Sequence, residues 1–406
     1  MDCEAPMEIE ERLLALDDVL RGNIRADILR NAVADGSAVL INGRERSVAV
    51  GHGLPVKINT NIGISDKSDP NVELEKLRLL SRVSFRPDMM MDHTIDREHR
   101  DFWKTMVGHF DGPVGTLPHY TIYNPKHGVE KSALIDRITE MLEGGVAFMT
   151  LHFTSDLDIY DIARKTRPIP VTSRGGGLVV RDMLRSGRNE NVFRSAISDI
   201  ASVFRKFDAT ISVGTTYRPP DIFSALDEAH TLETKRQVQI VRELRKAGVN
   251  VIMEGVGHMQ LTDIPRYIAI ASEAKCPFMP LGPMTTDSAI GFDHVVNAIG
   301  GAAMALAGGA HILNSVTREE HTGGVPSLES VVEGLKAAKV AAHSVNLTRF
   351  DRIKSVDRMT IEQRGKQVSC VVAGGLFNER VDDPRKGCDR CSFECPIVLA
   401  PASPIH

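Results

Sequence analysis

The sequence lacks the features that mark nucleic-acid-binding and membrane proteins. It has 49 Lys and Arg against 53 Asp and Glu, and only 5% of its residues are aromatic, so no basic excess is present to neutralise a phosphate backbone. No apolar run reaches the roughly 18 residues that a membrane-spanning helix needs, and the acidic first residues lack the apolar core of a signal peptide. We therefore expect a cytoplasmic protein with neither a nucleic-acid nor a membrane partner.

Cysteine is scarce and unevenly placed. Cys3, Cys276 and Cys370 are scattered, and their spacing does not form a disulfide framework, which favours a reducing compartment. The other three of the six cysteines fall within eight residues near the end of the chain: Cys388, Cys391 and Cys395. This Cys-x2-Cys-x3-Cys-Pro run is typical of a metal site.

The three clustered cysteines predict an iron-sulfur cluster. Three thiolates this close together can bind three irons of a [4Fe-4S] cluster and leave the fourth iron open to an outside ligand. A structural zinc site is less favoured because it needs four protein ligands, and the remaining candidate is His406, eleven residues beyond Cys395. A ferredoxin-like relay is also less favoured, because the Cys before Pro in that pattern serves a second cluster whose other ligands are absent. An open iron points to catalysis.

The chain divides into three parts by its pattern of apolar residues. Helical spacing in residues 9–20 and 24–33 predicts an N-terminal helical arm over 1–50. From residue 51 to 346, short β-rich runs alternate with helix-length segments, which is typical of a parallel (β/α)8 TIM-type barrel. Residues 347–406 are predicted to form a polar, mobile linker followed by the cysteine tail.

The barrel region contains one β-rich run more than eight strands require. The candidate strands are residues 56–61, 88–92, 113–120, 146–152, 169–173, 209–214, 249–254, 277–282 and 310–315. One of these nine is therefore expected to be an extra strand or a wrong prediction.

Polar residues gather at the carboxyl ends of these runs. In a TIM-type barrel that face carries the catalytic loops, so this pattern favours an enzyme over a scaffold. The residues at or just beyond these strand ends are Asn61, Asp92, Tyr120, His152, Ser173, Arg174, Arg218, Glu254, His258 and His321.

Two groups at these ends have alternative interpretations. Ser173, Arg174 and Gly175, followed by two more glycines, could bind a phosphate through backbone N–H groups and the guanidinium, or could be a flexible turn. His258 and His321 could hold a divalent ion such as zinc, or could be ordinary polar residues in a chain with 14 histidines.

The order and content of the loop motifs carry a resemblance. The motifs are KINTNIG (57–63), MD (91–92), GTLPHY (115–120), SRG (173–175), SVGTTYRP (212–219), EGVGH (254–258), LGP (281–283), TD (286–287) and EH (320–321). Together they resemble the thiamin pyrimidine synthase family of radical S-adenosylmethionine enzymes, over about 340 residues from position 56 to the tail.

The resemblance implies a substrate, cofactors and a partner. Members of this family rearrange 5-aminoimidazole ribotide. By this resemblance, S-adenosylmethionine would bind the open iron held by Cys388, Cys391 and Cys395, and an external electron donor would trigger its cleavage. It also implies a homodimer in which the cysteine tail lies near the active site of the partner subunit.

The resemblance also implies roles for individual residues. Glu254, Tyr120 and His152 would be catalytic, while His258 and His321 would bind zinc or another divalent ion. Arg174 and Arg218 would clamp the anionic end of the ribotide. The implied ribotide pocket consists of Asn61, Met91, Tyr120, His152, Ser173, Arg174, Gly175, Thr215, Arg218, Glu254 and Met279.

Several positions depart from the pyrimidine synthase pattern. Thr215 replaces an Asp, Met279 and Pro280 stand where a Tyr precedes Leu-Gly-Pro, and Val256 replaces a Pro. The cysteine spacing is also one residue shorter. Loss of a carboxylate and a phenol changes which intermediates the pocket can deprotonate, so the product should differ.

These departures resemble the branch of the family that makes 5-hydroxybenzimidazole, the lower-ligand precursor of cobamides, under anaerobic conditions. Two alternatives remain. One is phosphomethylpyrimidine synthesis from the same ribotide. The other belongs to a different class: a metal-dependent barrel hydrolase that uses Glu254, His258 and His321, with a structural zinc in the tail.

Overall fold

The computed structural model describes residues 16, 18, 22–124, 126–372, 390–391 and 394–400. Cys388 and most of the predicted first helix (9–20) lie outside the described residues. The strands are β1 (Ala38–Ile41), β2 (Val48–Gly51), β3 (Lys57–Ile62), β4 (Met89–Asp92), β5 (Val114–Thr116), β6 (Phe148–Leu151), β7 (Thr210–Val213), β8 (Asn250–Met253), β9 (Val256–His258), β10 (Leu281–Met284) and β11 (Ile312–Ser315).

Most of the helices follow barrel strands. In chain order the helices are α1 (Ala26–Asp35), α2 (Pro70–Arg82), α3 (Phe102–His109), α4 (Lys131–Glu143), α5 (Leu157–Thr166), α6 (Arg174–Ser186), α7 (Val192–Ser195), α8 (Ile197–Lys206), α9 (Glu228–Lys246), α10 (Ile264–Ala271), α11 (Asp293–Leu306), α12 (Leu328–Asn346) and α13 (Asp351–Gln367). No helix in the described part of the chain is long and apolar enough to cross a membrane.

Seven parallel strands and one short segment form a closed barrel. The sheet order is β11-β3-β4-β5-β6-β7-β8. Residues 277–279 complete it, because Phe278 forms a parallel bridge with Met253 of β8 and its carbonyl accepts from the N–H groups of His311 and Ile312 at 3.0 and 3.1 Å. The prediction of a (β/α)8 TIM-type barrel is confirmed.

The prediction of a strand at residues 169–173 is wrong. This segment is an irregular loop between α5 and α6. Pro168 and Pro170 explain the error, since proline has no N–H for a sheet ladder and is excluded from central strands. The other eight predicted runs match the eight positions of the barrel.

A hairpin closes the amino-terminal end of the barrel. β1 and β2 pair antiparallel, and alternate residues of the pair face opposite sides. Ala38 and Leu40 pack with Leu29 of α1. The opposite face joins the interior of the barrel in a single apolar cluster that includes Val39, Ile41, Val48, Val50, Met89, Phe148, Ile252 and Ile312. The sequence had predicted only helices in this region.

Part of the segment that is expected to be a mobile linker after the barrel forms a helix. Residues 351–367 form the helix α13, which has no buried residue. His343 of α12 lies 2.6 Å from Asp357 of α13 through Nε2 and Oδ2, which ties the two helices together. The segment is polar because its helix is solvent-exposed, and its Arg, Lys, Glu and Gln residues are good helix formers.

Candidate active site at the carboxyl end of the barrel

The inward-facing side chains change from apolar to polar along the barrel axis. In β6 the inner position passes from Phe148 to Thr150, and in β11 it passes from Ile312 to Asn314. All four side chains are buried. A buried polar layer costs free energy unless its groups are hydrogen-bonded or used, so this end is where a functional site is expected.

A network of asparagines fixes Asn61. The Asn59 amide donates to Asn61 Oδ1 at 2.8 Å and to Asn314 Oδ1 at 2.7 Å. Asn314 in turn donates to the Pro280 carbonyl at 3.0 Å. Asn59 Oδ1 is buried and has no hydrogen-bond partner among the residues that the structure describes. The network therefore joins β3, β11 and the segment before β10, and holds Asn61 at the rim of the barrel.

Tyr120 lies in a group of aromatic and cationic side chains. Its ring centroid is 5.1 Å from that of His119, and the Arg174 guanidinium lies 6.0 Å over the tyrosine ring. Burial raises the pKa of Tyr120 to about 12. The phenol is therefore protonated at neutral pH and can donate a hydrogen bond to a substrate.

His152 and His119 are buried, neutral imidazoles. Their ring centroids are 5.6 Å apart. Burial lowers the pKa of His119 to about 4 and that of His152 well below its usual value. Nδ1 of each ring has no hydrogen-bond partner within the described residues. His152 can therefore act as a neutral donor or acceptor toward a bound molecule.

Ser173, Arg174 and Gly175 form the start of helix α6 and not a flexible turn. Ser173 Oγ caps the helix by accepting from the Gly176 N–H at 3.1 Å, and His119 Nε2–H donates to the Gly175 carbonyl at 3.1 Å. A side chain at Gly175 would overlap His152 Nε2, so only glycine fits. The positive end of the helix dipole, beside an exposed Arg174, suits an anion.

Glu254 is the buried carboxylate at the end of β8. Its Oε1 accepts from Thr150 Oγ1 at 2.8 Å, and its Oε2 accepts from the Thr215 N–H at 3.4 Å. Burial raises the pKa of Glu254 to about 7, against the opposing effects of Thr150 and of the positive charge of Arg218. A carboxyl group that is half-protonated near neutral pH is suited to proton transfer.

The two methionines assigned to the pocket are buried inside the barrel, whereas the Thr215 hydroxyl is bonded to a residue of α9. Met91 and Met279 belong with Tyr120 to the apolar cluster inside the barrel. The Thr215 hydroxyl donates to Glu233 of α9 at 2.7 Å. The sequence had placed Thr215 among the ribotide contacts, but in the structure its hydroxyl is engaged by a protein carboxylate.

His258 and His321 stand together and are each oriented by an aspartate. His258 Nδ1 lies 2.6 Å from Asp287 Oδ1, and His321 Nδ1 lies 2.6 Å from Asp293 Oδ1. Hydrogen-bonding of Nδ1–H to a carboxylate leaves the Nε2 lone pair for a metal ion. Burial lowers the pKa of His258, which favours the neutral form that binds metals.

The histidine pair presents two of the ligands that a metal ion would need. No cluster of three or more His, Cys, Asp or Glu side chains that could hold a metal is found within the described ranges. Two protein ligands leave open positions for substrate or water.

Sequence reasoning missed four residues of this site: His119, Glu233, Asp287 and Asp293. His119 and Asp287 stand inside quoted motifs, next to Tyr120 and Thr286, so their positions were a usable signal. Glu233 and Asp293 lie in helices and have no local signal. Their roles depend on contacts between distant parts of the chain.

Two of the three clustered cysteines are described. Cys391 and Cys395 are free thiols and are partly exposed. The Glu394 N–H donates to the Cys391 carbonyl at 3.0 Å. Free, accessible thiols fit the ligand role predicted for a cluster.

The chain matches known proteins along most of its length. The family model described as the radical SAM ThiC family matches residues 14–397. The chain is 35% identical to a phosphomethylpyrimidine synthase of Thermococcus kodakarensis, with 93% of each chain covered. It is 30% identical to a protein of Moorella thermoacetica named 5-hydroxybenzimidazole synthase BzaA, with 93% of this chain and 92% of that protein covered.

Among solved structures, a dihydropteroate synthase of Yersinia pestis matches with a TM-score of 0.44 and 10% identity, over 77% of this chain and 99% of that one. That likeness is too low to bear on function. The match to the family model and the identities to the two relatives lead to one conclusion: the chain belongs to the radical SAM ThiC family.

Proposed function

We propose that this protein converts 5-aminoimidazole ribotide to 5-hydroxybenzimidazole. Membership of a radical SAM family implies an iron-sulfur cluster and S-adenosylmethionine. The choice of product rests on one observation: the pocket positions that depart from the pyrimidine synthase pattern hold a buried Met279 and a Thr215 whose hydroxyl is taken up by Glu233. The name of the Moorella relative supports the same choice.

Phosphomethylpyrimidine synthesis is the second candidate. It uses the same ribotide, and relatives from Ignicoccus hospitalis and Thermococcus kodakarensis, 33% and 35% identical to this chain, carry that name. A hydrolase with a zinc-binding tail has no support from a family of radical enzymes.

Two arginines are the proposed anchors for the ribotide phosphate. Arg174 stands at the N-terminus of α6, and Arg218 follows β7. Neither guanidinium forms an ion pair with a carboxylate in the described part of the chain. Their charge is therefore free for a ligand, and a guanidinium binds phosphate through paired N–H groups.

The remaining pocket groups orient the ribotide and move protons. The Tyr120 phenol and the neutral His152 donate or accept hydrogen bonds, and Glu254 exchanges a proton near neutral pH. Met91 and Met279 line an apolar surface that excludes water. Without water in the pocket, a reactive intermediate is protected from side reactions.

Two bound groups would complete the site. Cys388, Cys391 and Cys395 would hold the cluster, which together with S-adenosylmethionine supplies a one-electron cleavage and a 5'-deoxyadenosyl radical. His258 and His321 would hold zinc or another divalent ion, with Asp287 and Asp293 fixing their tautomers.

A homodimer is part of the proposal. Four large apolar residues on and just before α11 are exposed: Phe292 at 63%, Val295 at 42%, Ile299 at 52% and Leu306 at 60%. Such an exposed apolar group is typical of an interface, and a second copy of the chain is the proposed occupant. Light scattering should then give twice the 44.5 kDa of one chain, and Ile299→Glu should shift the mass toward the monomer.

The product assay tests the proposal directly. Protein reconstituted with iron and sulfide under anaerobic conditions is mixed with dithionite, S-adenosylmethionine and 5-aminoimidazole ribotide. Mass spectrometry should detect 5-hydroxybenzimidazole and 5'-deoxyadenosine. Detection of hydroxymethylpyrimidine phosphate in its place would establish the second candidate.

A further inference from the structure

Glu233 is a buried carboxylate that accepts four hydrogen bonds. It lies on α9, is fully buried, and binds Thr154 Oγ1 at 2.8 Å and Thr215 Oγ1 at 2.7 Å. The backbone N–H groups of Thr216 and Tyr217 donate to it at 2.6 and 2.7 Å. Burial raises the pKa of Glu233, and these four donors act in the opposite direction by stabilising its charge.

The four donors come from two catalytic loops. Thr154 follows β6 two residues after His152, and residues 215–217 follow β7 immediately before Arg218. One side chain on the outer helix therefore fixes the starting points of both loops. The removal of Glu233 would leave two backbone N–H groups of the second loop buried without partners, at about 1–3 kcal/mol each.

Gln237 extends the same face of α9. Four residues after Glu233, its amide donates to the carbonyls of Val213, Gly214 and Glu254 at 3.3, 3.1 and 3.1 Å. Residues four apart lie above one another on a helix. Glu233 thus accepts the N–H groups of the β7 loop while Gln237 donates to the carbonyls of the β7 and β8 ends.

Thr215 stands between two carboxylates. Its hydroxyl donates to Glu233 and its N–H donates to Glu254. A carboxylate in the place of this hydroxyl would meet Glu233 at hydrogen-bond distance, and two carboxylates in such contact cannot both be ionised in a buried site. The hydroxyl instead satisfies Glu233 and adds no acid to the pocket.

We propose that Glu233 is a positioning residue for the ribotide pocket and that, through its hydrogen bond with Thr215, it makes position 215 a determinant of product specificity. Glu233 acts on His152 and Arg218 by fixing the loops that carry them, and on Glu254 through Thr215, whose N–H donates to Glu254. Thr215 adds no ionisable group to the pocket, so that Glu254 alone carries out proton transfer at the carboxyl ends of β7 and β8. The specificity part rests on the proposed function, whereas the positioning part does not.

The first test measures thermal unfolding against pH. In Thr215→Asp, the new carboxyl and Glu233 must share a proton, so at least one folded-state pKa lies above its unfolded value. The contribution of the shared proton to the free energy of unfolding is then present at low pH and is lost as the pH rises. The melting temperature should therefore fall between about pH 5.5 and about pH 8.5 relative to the unchanged protein. Thr215→Asn is the matched neutral control.

A double variant tests whether Glu233 is the group that shares a proton with the new aspartate. Adding Glu233→Gln to Thr215→Asp replaces one of the two acids by an amide that can donate, and should remove most of the extra pH dependence. If Thr215→Asp and Thr215→Asn melt with the same pH profile, or if the double variant behaves like Thr215→Asp alone, the proposal is overturned. These measurements need no substrate, so they remain decisive even where the ribotide reaction fails.

The second test separates positioning from folding. Thr215→Val keeps the shape but removes the donor and should lower kcat about 10- to 100-fold, while Thr215→Ser should restore most of it. Both variants should melt within a few degrees of each other. An equal rate in the Val and Ser variants would show that the Glu233 contact has no role in turnover.

The product spectrum tests specificity. Thr215→Asp, which restores an acid at this position, should lower the ratio of 5-hydroxybenzimidazole to other ribotide products in the anaerobic assay, whereas Thr215→Ser should keep the ratio. An unchanged ratio in Thr215→Asp would remove position 215 as a determinant, and would do so without affecting the pH result for Glu233.

Discussion

His258 and His321 stand edge to face, with ring centroids 4.9 Å apart and with each Nδ1 held by a different aspartate. This arrangement predicts the effect of the aspartates on metal binding. Asp287→Asn should weaken zinc binding by about 10- to 100-fold, because an uncharged amide, which can donate as well as accept, fixes the tautomer that frees Nε2 less strongly. Competition with a fluorescent chelator measures the affinity, and Asp161→Asn on the exposed face of α5 is the control.

Glu254 should control the pH dependence of both turnover and stability. Its pKa is raised to about 7 by burial, so the stabilising effect of its protonated form is present below the unfolded-state pKa and is lost as the pH rises through 7. Glu254→Gln should therefore flatten the fall in melting temperature between about pH 5 and about pH 8, and should lower kcat about 10²- to 10⁴-fold.

The control for this prediction is Glu243→Gln on the exposed part of α9, which pairs only with Arg194 among the described residues. It should leave the pH profile as it is. A Glu254→Gln variant that turns over at the normal rate would exclude Glu254 from proton transfer.

Gly175 and Gly177 form a matched pair for testing the start of α6. A side chain at Gly175 would overlap His152 Nε2, whereas a Cβ at Gly177 would meet only Val171 at 3.6 Å, an ordinary contact. Gly175→Ala should displace His152 and sharply reduce turnover. Gly177→Ala should raise stability by about 0.5–1 kcal/mol, because alanine favours the helix. Similar behaviour of the two variants would contradict the close approach seen at Gly175.

Two cysteine variants test the cluster. Cys391→Ala removes one of three predicted ligands and should abolish iron-sulfur absorbance and 5'-deoxyadenosine formation after reconstitution. Cys370→Ala removes an exposed free cysteine outside the three-cysteine run and should change neither the iron-sulfur absorbance nor the formation of 5'-deoxyadenosine. Iron bound in normal amount by Cys391→Ala would argue against a three-cysteine cluster.

The barrel could be predicted from the sequence because its parts are local. A parallel strand is buried on both faces, so it appears as a short β-rich apolar run, and such runs predicted all eight positions. The error at 169–173 came from counting the apolar Ile169 and Val171 without weighing the backbone N–H group that is missing at Pro170. The hairpin was missed because four-residue strands give a weak signal beside amphipathic helices.

The site was only partly predictable, because some of its contacts join distant parts of the chain. The pocket residues at strand ends have a positional signal, and the motifs of the family resemblance added the other predicted pocket residues. Asp293 and Glu233 have none, because a helical carboxylate is usually solvated. Only the packing of α9 and α11 against the barrel turns these two residues into partners of Thr215 and His321. Such long-range pairings are decided by the fold as a whole.

The hairpin at the amino-terminal end has a consequence for how the chain folds. Its apolar face shares one cluster with Ile312 of the last barrel strand, which lies 271 residues after Ile41 in the sequence. Contacts over such separations form late and slowly, because a long loop must be closed before they contribute. During synthesis the hairpin is made before the barrel strands, and its apolar face stays partly uncovered until the last barrel strand has been made.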